Sequence, residues 1–104
     1  MSDPRTIEKV SDITATDIAS YLRIAEPTAD DLLFINTSMK VAVDFILKYT
    51  GIEDAEALDA YQDMIIVVYV LCQDMYDTRE LYVNNSNLNR VVETILGMHQ
   101  RNLL

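Results

Sequence analysis

Hydrophobic positions recur along this chain at spacings of three and four residues, and the clearest run lies between Leu32 and Thr50. Leu32, Ile35, Met39, Ala42, Val43, Ile46 and Thr50 form the stripe of an amphipathic helix, with Leu33 and Leu47 widening it. Thr28 with Asp31 three residues on is an N-cap signature, and Lys48 and Gly51 suit a helix end, so a helix is predicted over about 29–49. The stretch "ITATDIASYLRI" repeats the device. Thr14 and Asp17 cap it, Ile18, Tyr21 and Leu22 follow on one face, and a short helix is predicted over about 15–23. Pro27 pushes Glu26 into an extended conformation.

From Met64 to Cys72 the chain carries neither charge nor amide. Leu58, Tyr61, Ile65, Val68, Cys72 and Met75 make one stripe, while Met64, Ile66, Val67, Tyr69 and Leu71 fill the other faces. Ile-Ile-Val-Val-Tyr-Val suits a strand, but the helical period continues through "EALDAYQD" and "CQDMYDTREL" on either side, which favours a helix over about 55–80. A helix apolar all round is enclosed by others. So short a chain does not supply every covering surface, which points to an oligomer. A last helix is predicted over about 88–100, with Val91, Val92, Ile95 and Leu96 inward. The expected fold is therefore all-α, a small bundle of about four helices with an enclosed central third helix. Residues 1–12 read as a mobile N-terminal arm and 13–104 as a single helical domain.

Composition adds limits. The chain has 104 residues, only two glycines and two prolines, and half its residues are hydrophobic, which suits one folded domain and disfavours a turn-rich β fold. Lys and Arg total 8 against 17 Asp and Glu, a formal charge of −9 that repels phosphate backbones and disfavours a DNA- or RNA-binding module. The excess is largest over residues 55–82, whereas 83–104 are mildly basic. No secretory signal is visible in "MSDPRTIEKVSD", and the apolar run is about half the length that crosses a bilayer, so a cytoplasmic protein without a membrane partner is expected.

Candidate chemistry is sparse. Cys72, the sole cysteine, reads as a small core residue. His99, the sole histidine, is expected to interact with the negative end of the last helix. The sequence holds no catalytic triad, no Glu-x-x-His metal pair and no phosphate-binding glycine loop, so neither an enzyme nor a cofactor is expected. Asp74, Asp77 and Glu80 share a helix face, and Arg79 reads either as part of a solvated helix end or as the partner of an acid on a neighbouring chain. Asn84, Asn85, Asn87 and Asn89 read as a turn and helix N-cap, as a polar contact surface, or as both. Leu103 and Leu104 are either a frayed end or a docking tail.

Taken in order, "ITATDIASYLRI", "ADDLLFINTSMKVAVDFILKYTG", "MIIVVYVLCQDMYDTRELYV" and "NRVVETIL" resemble the head–tail connector (adaptor) family of tailed bacteriophages, whose members are often labelled putative DNA-packaging proteins. The resemblance spans roughly residues 10–98 and rests on the order and spacing of the segments. It implies a small helical subunit, encoded by a phage or prophage, that assembles into a ring beneath the portal, a dodecamer in the virion. Such a ring extends the DNA channel, through which DNA passes without specific binding, and joins head to tail after DNA packaging. The implied partners are further copies of the chain, the portal protein and the next neck or tail-completion protein. The implied location is the neck of the virion, and the bacterial cytoplasm before assembly. Tyr76, Arg79 and Glu80 match the family's Tyr-x-x-Arg-Glu segment; with Tyr82, Asn84, Asn85, Asn87, Leu103 and Leu104 they are the candidate interface residues. The alternative is a small acidic helical regulator that binds a host protein.

Overall fold

Two threonine–aspartate boxes set the first two helices. The computed structural model describes residues 6–100. Helix α1 spans Ala15–Tyr21 and α2 spans Ala29–Thr50. Thr14 accepts the Asp17 N–H at 3.2 Å while the Asp17 carboxylate accepts the Thr14 N–H at 2.8 Å. Thr28 and Asp31 exchange the same two bonds, each at 3.0 Å. Both helices thus start where the boxes predict, with orphan N–H groups satisfied. Gly51 ends α2 in the left-handed region, φ 79°, and its N–H donates to the Leu47 carbonyl at 2.9 Å.

The third helical stretch differs from expectation. Instead of one helix over 55–80, a 3-10 helix spans Ala55–Ala60 and α3 spans Met64–Thr78. Asp54 caps the 3-10 helix, accepting the Ala57 N–H at 3.0 Å, and Tyr61 is extended. The bend puts Leu58 wholly inside the core and brings Asp59 to Ser11, whose N–H and hydroxyl donate to its carboxylate at 2.9 and 2.8 Å. A straight helix would carry both residues off the end of the bundle. Helix α4 spans Arg90–His99. Among the described residues there is no strand, and the chain is all-α.

Part of the stretch read as a mobile N-terminal arm lies against the bundle. A 3-10 turn at Val10–Asp12 is held by the Ser11–Asp59 bonds, Val10 and Ile13 are buried, and Ile7 packs against the core. Residues 1–5 of that stretch lie outside the described residues.

Phe34 near the start of α2 meets Tyr76 near the end of α3, and His99 at the end of α4 meets Asp63 at the start of α3. Both helices therefore run antiparallel to α3. α1 also packs on α2 and α3 with no comparable contact to α4, so α1 and α4 flank the α2–α3 pair. α3 touches every other helix. It buries Met64, Val67, Val68, Leu71, Cys72 and Met75, while Ile66 on its outer face remains 49% exposed.

Two inward assignments fail. Leu33 is 66% and Val91 52% exposed. At about 100° per residue, Leu33 falls on the side of α2 opposite Ile35, and Val91 a quarter-turn from Val92.

Candidate docking surface at the end of the third helix

α3 stops without a glycine. Arg79 occupies the left-handed position after Thr78, with φ 58° and ψ 33°. Its N–H donates to the Tyr76 carbonyl at 3.3 Å and the Glu80 N–H to the Met75 carbonyl at 3.2 Å, the paired bonds of a Schellman ending. α1 closes the same way on Arg23, φ 63°, with the Arg23 and Ile24 N–H groups donating to Ser20 and Ala19.

A residue with a Cβ costs about 1–2 kcal/mol in that conformation. At Arg79 the offset is visible. The guanidinium lies over the Tyr76 ring, 4.0 Å from its centroid, and Tyr76 meets Phe34 edge-on at 6.2 Å. The Thr28 N–H holds the Asp31 carboxyl below the usual carboxylate range, and the Arg79 charge adds a smaller pull in the same direction. Arg79 thus ties the end of α3 to the start of α2 within one chain. Arg79 is exposed at the end of α3, and its guanidinium stacks on an aromatic ring three residues back.

Beyond Arg79 the chain turns back along α3 and leaves a cleft of about 560 Å³. Asp74, Asp77 and Glu80 line one wall, Tyr82, Asn84 and Asn87 the other, and Leu71, Val83 and Leu88 contribute apolar surface. Partial burial pushes the Asp74 carboxyl up, and repulsion from Asp77 adds to it. Among the described residues, none of these three acids has an ion-pair partner. Tyr82 is 67% exposed, an aromatic ring in water beside these acids.

The asparagines divide between two jobs. Asn84 accepts the Ser86 N–H at 3.1 Å and the Ser86 hydroxyl at 2.7 Å, starting a 3-10 turn at Asn85–Asn87. Asn89 caps α4 by accepting the Val91 N–H at 2.8 Å. Asn85 and Asn87 are exposed, and only Asn87 faces the cleft.

Five of the predicted interface residues thus stand around the cleft or stack beside it, namely Arg79, Glu80, Tyr82, Asn84 and Asn87, with Tyr76 beneath Arg79. Leu103 and Leu104 lie outside the described residues. The last described residue, Gln100, follows His99, which bonds Asp63 at the other end of α3. The chain therefore leaves the described region far from the cleft.

His99 stands in the last turn of α4, as expected, and makes a further contact that was not expected. Its Nε2 lies 2.9 and 3.0 Å from the Asp63 carboxylate oxygens and its ring 4.5 Å from that of Tyr61. The contact spans 36 residues of sequence, and no local spacing announces it. Cys72 is a core residue; burial pushes its thiol up to about 11, against a smaller opposing effect of the Ser38 hydroxyl. Among the described residues, no group of three or more His, Cys, Asp or Glu side chains is placed to hold a metal ion, and no helix is long and apolar enough to cross a membrane. Comparison of the chain with models of known families, with curated proteins and with solved structures gives no match.

Proposed function

We propose that this chain is a structural head–tail connector subunit of a tailed phage or prophage, forming a ring beneath the portal and continuing the DNA channel. The observation that carries the reading is the ordered set of segments from "ITATDIASYLRI" to "NRVVETIL" that resembles this family. Three features of the molecule support it. The chain is all-α with a central helix that its own neighbours leave half-open at Ile66, as suits a subunit completed by copies of itself. The cleft at the end of α3 places Glu80, Tyr82, Asn84 and Asn87 on one surface, a place for the portal or the next neck protein to dock. The formal charge of −9 gives DNA no phosphate-binding sites to stick to.

On this reading part of the acid excess over residues 55–82 faces the channel, and its role is positional, not catalytic. Native mass spectrometry of the protein alone and with its cognate portal ring tests the proposal. Ring-sized species or stoichiometric portal binding is the expected result. A protein that stays monomeric or dimeric and ignores the portal would overturn it and favour the host-protein regulator. A ring structure with those acids on its outer wall would remove the channel assignment alone.

A further inference from the structure

Two helices end on a left-handed arginine, but only one of these endings is enforced by the residues that follow. After Arg23 comes Ile24, whose N–H donates to the buried Ala19 and whose side chain packs against the core, the apolar contact that completes a Schellman ending. Pro27 then bars a continued α1, because it lacks an N–H and disfavours the helical conformation at Glu26. After Arg79 neither device is present. The matching residue is Glu80, charged and exposed, and no glycine or proline occurs between Arg79 and Leu96. Arg79, Glu80 and Leu81 are strong helix formers, and Asn84 is the first residue that favours a helix end. Leu81 and Tyr82 are exposed, and only Val83 of this segment is half-buried against the core.

We propose that the end of α3 is a two-state latch on the cleft. Turned back at Arg79, it sets Tyr82 and Asn84 across from Asp74 and Asp77; continued as helix through Val83, it takes that wall away. Continuation gives one backbone bond per added residue in place of the two that close the turn, and it relieves the left-handed Arg79. It gives up the packing of Val83. Tyr76 and Arg79 are three residues apart and stay neighbours on a helix, so their stack does not hold the turn.

The linker to α4 is long enough for α4 to stay docked in both states. His99 at the end of α4 meets Asp63 at the start of α3. Measured from that contact, Arg90 lies about 13 Å along the antiparallel helix, and Val83 of a continued α3 about 30 Å. With axes 8–10 Å apart, the gap between Val83 and Arg90 is about 19 Å. The chain between them spans about 23–25 Å when extended. Val92, Ile95 and Leu96 therefore keep their places in the core. A partner that fills the cleft binds the turned state alone and draws the equilibrium towards it. As a control on portal docking the latch rests on the connector reading; as an equilibrium of the chain it does not.

The test is NMR of the full-length protein, comparing Arg79→Ala with Arg79→Gly. Both remove the stack on Tyr76, but alanine favours the helix and glycine the left-handed turn. The ratio of continued to turned chains should differ between them by at least about tenfold. Cα shifts at Leu81 and Tyr82 are expected to be more helical in Arg79→Ala than in Arg79→Gly. Adding Leu81→Pro to Arg79→Ala blocks the continued helix and leaves both bonds of the turn, and it should return the Tyr82 shift to its value in Arg79→Gly. Equal Tyr82 shifts in the two single variants, or a helical shift that survives Leu81→Pro, would overturn the proposal. So would helical shifts accompanied by faster amide exchange at Val92 and Ile95, which would mean that α4 lets go. Titration with the cognate portal ring separates the latch from the connector reading. Tighter binding by Arg79→Gly than by Arg79→Ala would join them. Opposed shifts with equal or absent portal binding would keep the latch and remove the portal from the cleft; portal binding with equal shifts would do the reverse.

Discussion

The Nε2 of His99 lies 2.9 Å from the nearer carboxylate oxygen of Asp63, joining the last turn of α4 to the residue just before α3. The side chains are 19% and 36% exposed, and the Tyr61 ring lies against the imidazole. His99→Ala should therefore cost about 1–2 kcal/mol, the value of one partly buried polar contact and its packing. The loss should concentrate in α4. Amide exchange at Val92, Ile95 and Leu96 should speed up more than at Ile35 or Ile46. Equal acceleration in all helices would show that the contact adds global stability without clamping α4.

The two left-handed arginines make a matched pair with different surroundings. Among the described residues no ring stacks on Arg23, whereas Arg79 is stacked on Tyr76. Arg23→Gly should stabilise the protein by up to about 1 kcal/mol, relief of the Cβ clash less the added freedom of the unfolded chain. Arg79→Gly should be neutral or mildly destabilising, because a stack of about 0.5–1 kcal/mol is lost with the clash. Denaturant midpoints of both variants decide it. The same gain at both sites would mean that the stack contributes nothing.

Thr50, fully buried at the end of α2, donates its hydroxyl to the Ile46 carbonyl at 2.8 Å and accepts the Ile52 N–H at 3.2 Å. Thr50→Val keeps the shape and orphans that N–H, with an expected cost of about 1–3 kcal/mol. Thr50→Ser keeps both bonds and loses one methyl, about 1 kcal/mol. If thermal unfolding ranks Ser below Val, packing rather than the Ile52 bond is what Thr50 supplies.

Asp59 gives the pH dependence. The Ser11 N–H, then the Ser11 hydroxyl, hold its carboxyl below the usual carboxylate range. A lowered carboxyl contributes stability above the unfolded value, near pH 4, and loses it as pH falls through the folded value. Asp59→Asn should therefore melt below the wild type at pH 7, with the gap closing on acidification towards pH 3. A gap that stays constant with pH would assign the loss to geometry alone.

Much of the local grammar was legible. Thr14 with Asp17 and Thr28 with Asp31 start their helices as predicted, and Gly51 ends α2, because a cap is settled within four or five residues of chain. Asn84 and Asn89 were readable as caps for the same reason, and the Asp74, Asp77, Glu80 row follows from helical spacing. Arg79 as a left-handed cap was not legible, since no glycine or asparagine marks the position, as none marks Arg23 at the end of α1.

Amino-acid order alone determined that this protein is all-α, where its well-capped helices begin, and which faces of α2 and α3 are apolar, because each depends on neighbours within a turn or two of helix. Tertiary structure alone decided that the third helical stretch breaks before Met64, and that Ser11 meets Asp59 and His99 meets Asp63. The break sends Leu58 into a core whose other side belongs to distant segments, and the two polar contacts span 48 and 36 residues. Each is set by how helices stack, a free-energy balance over the whole bundle that no local window contains.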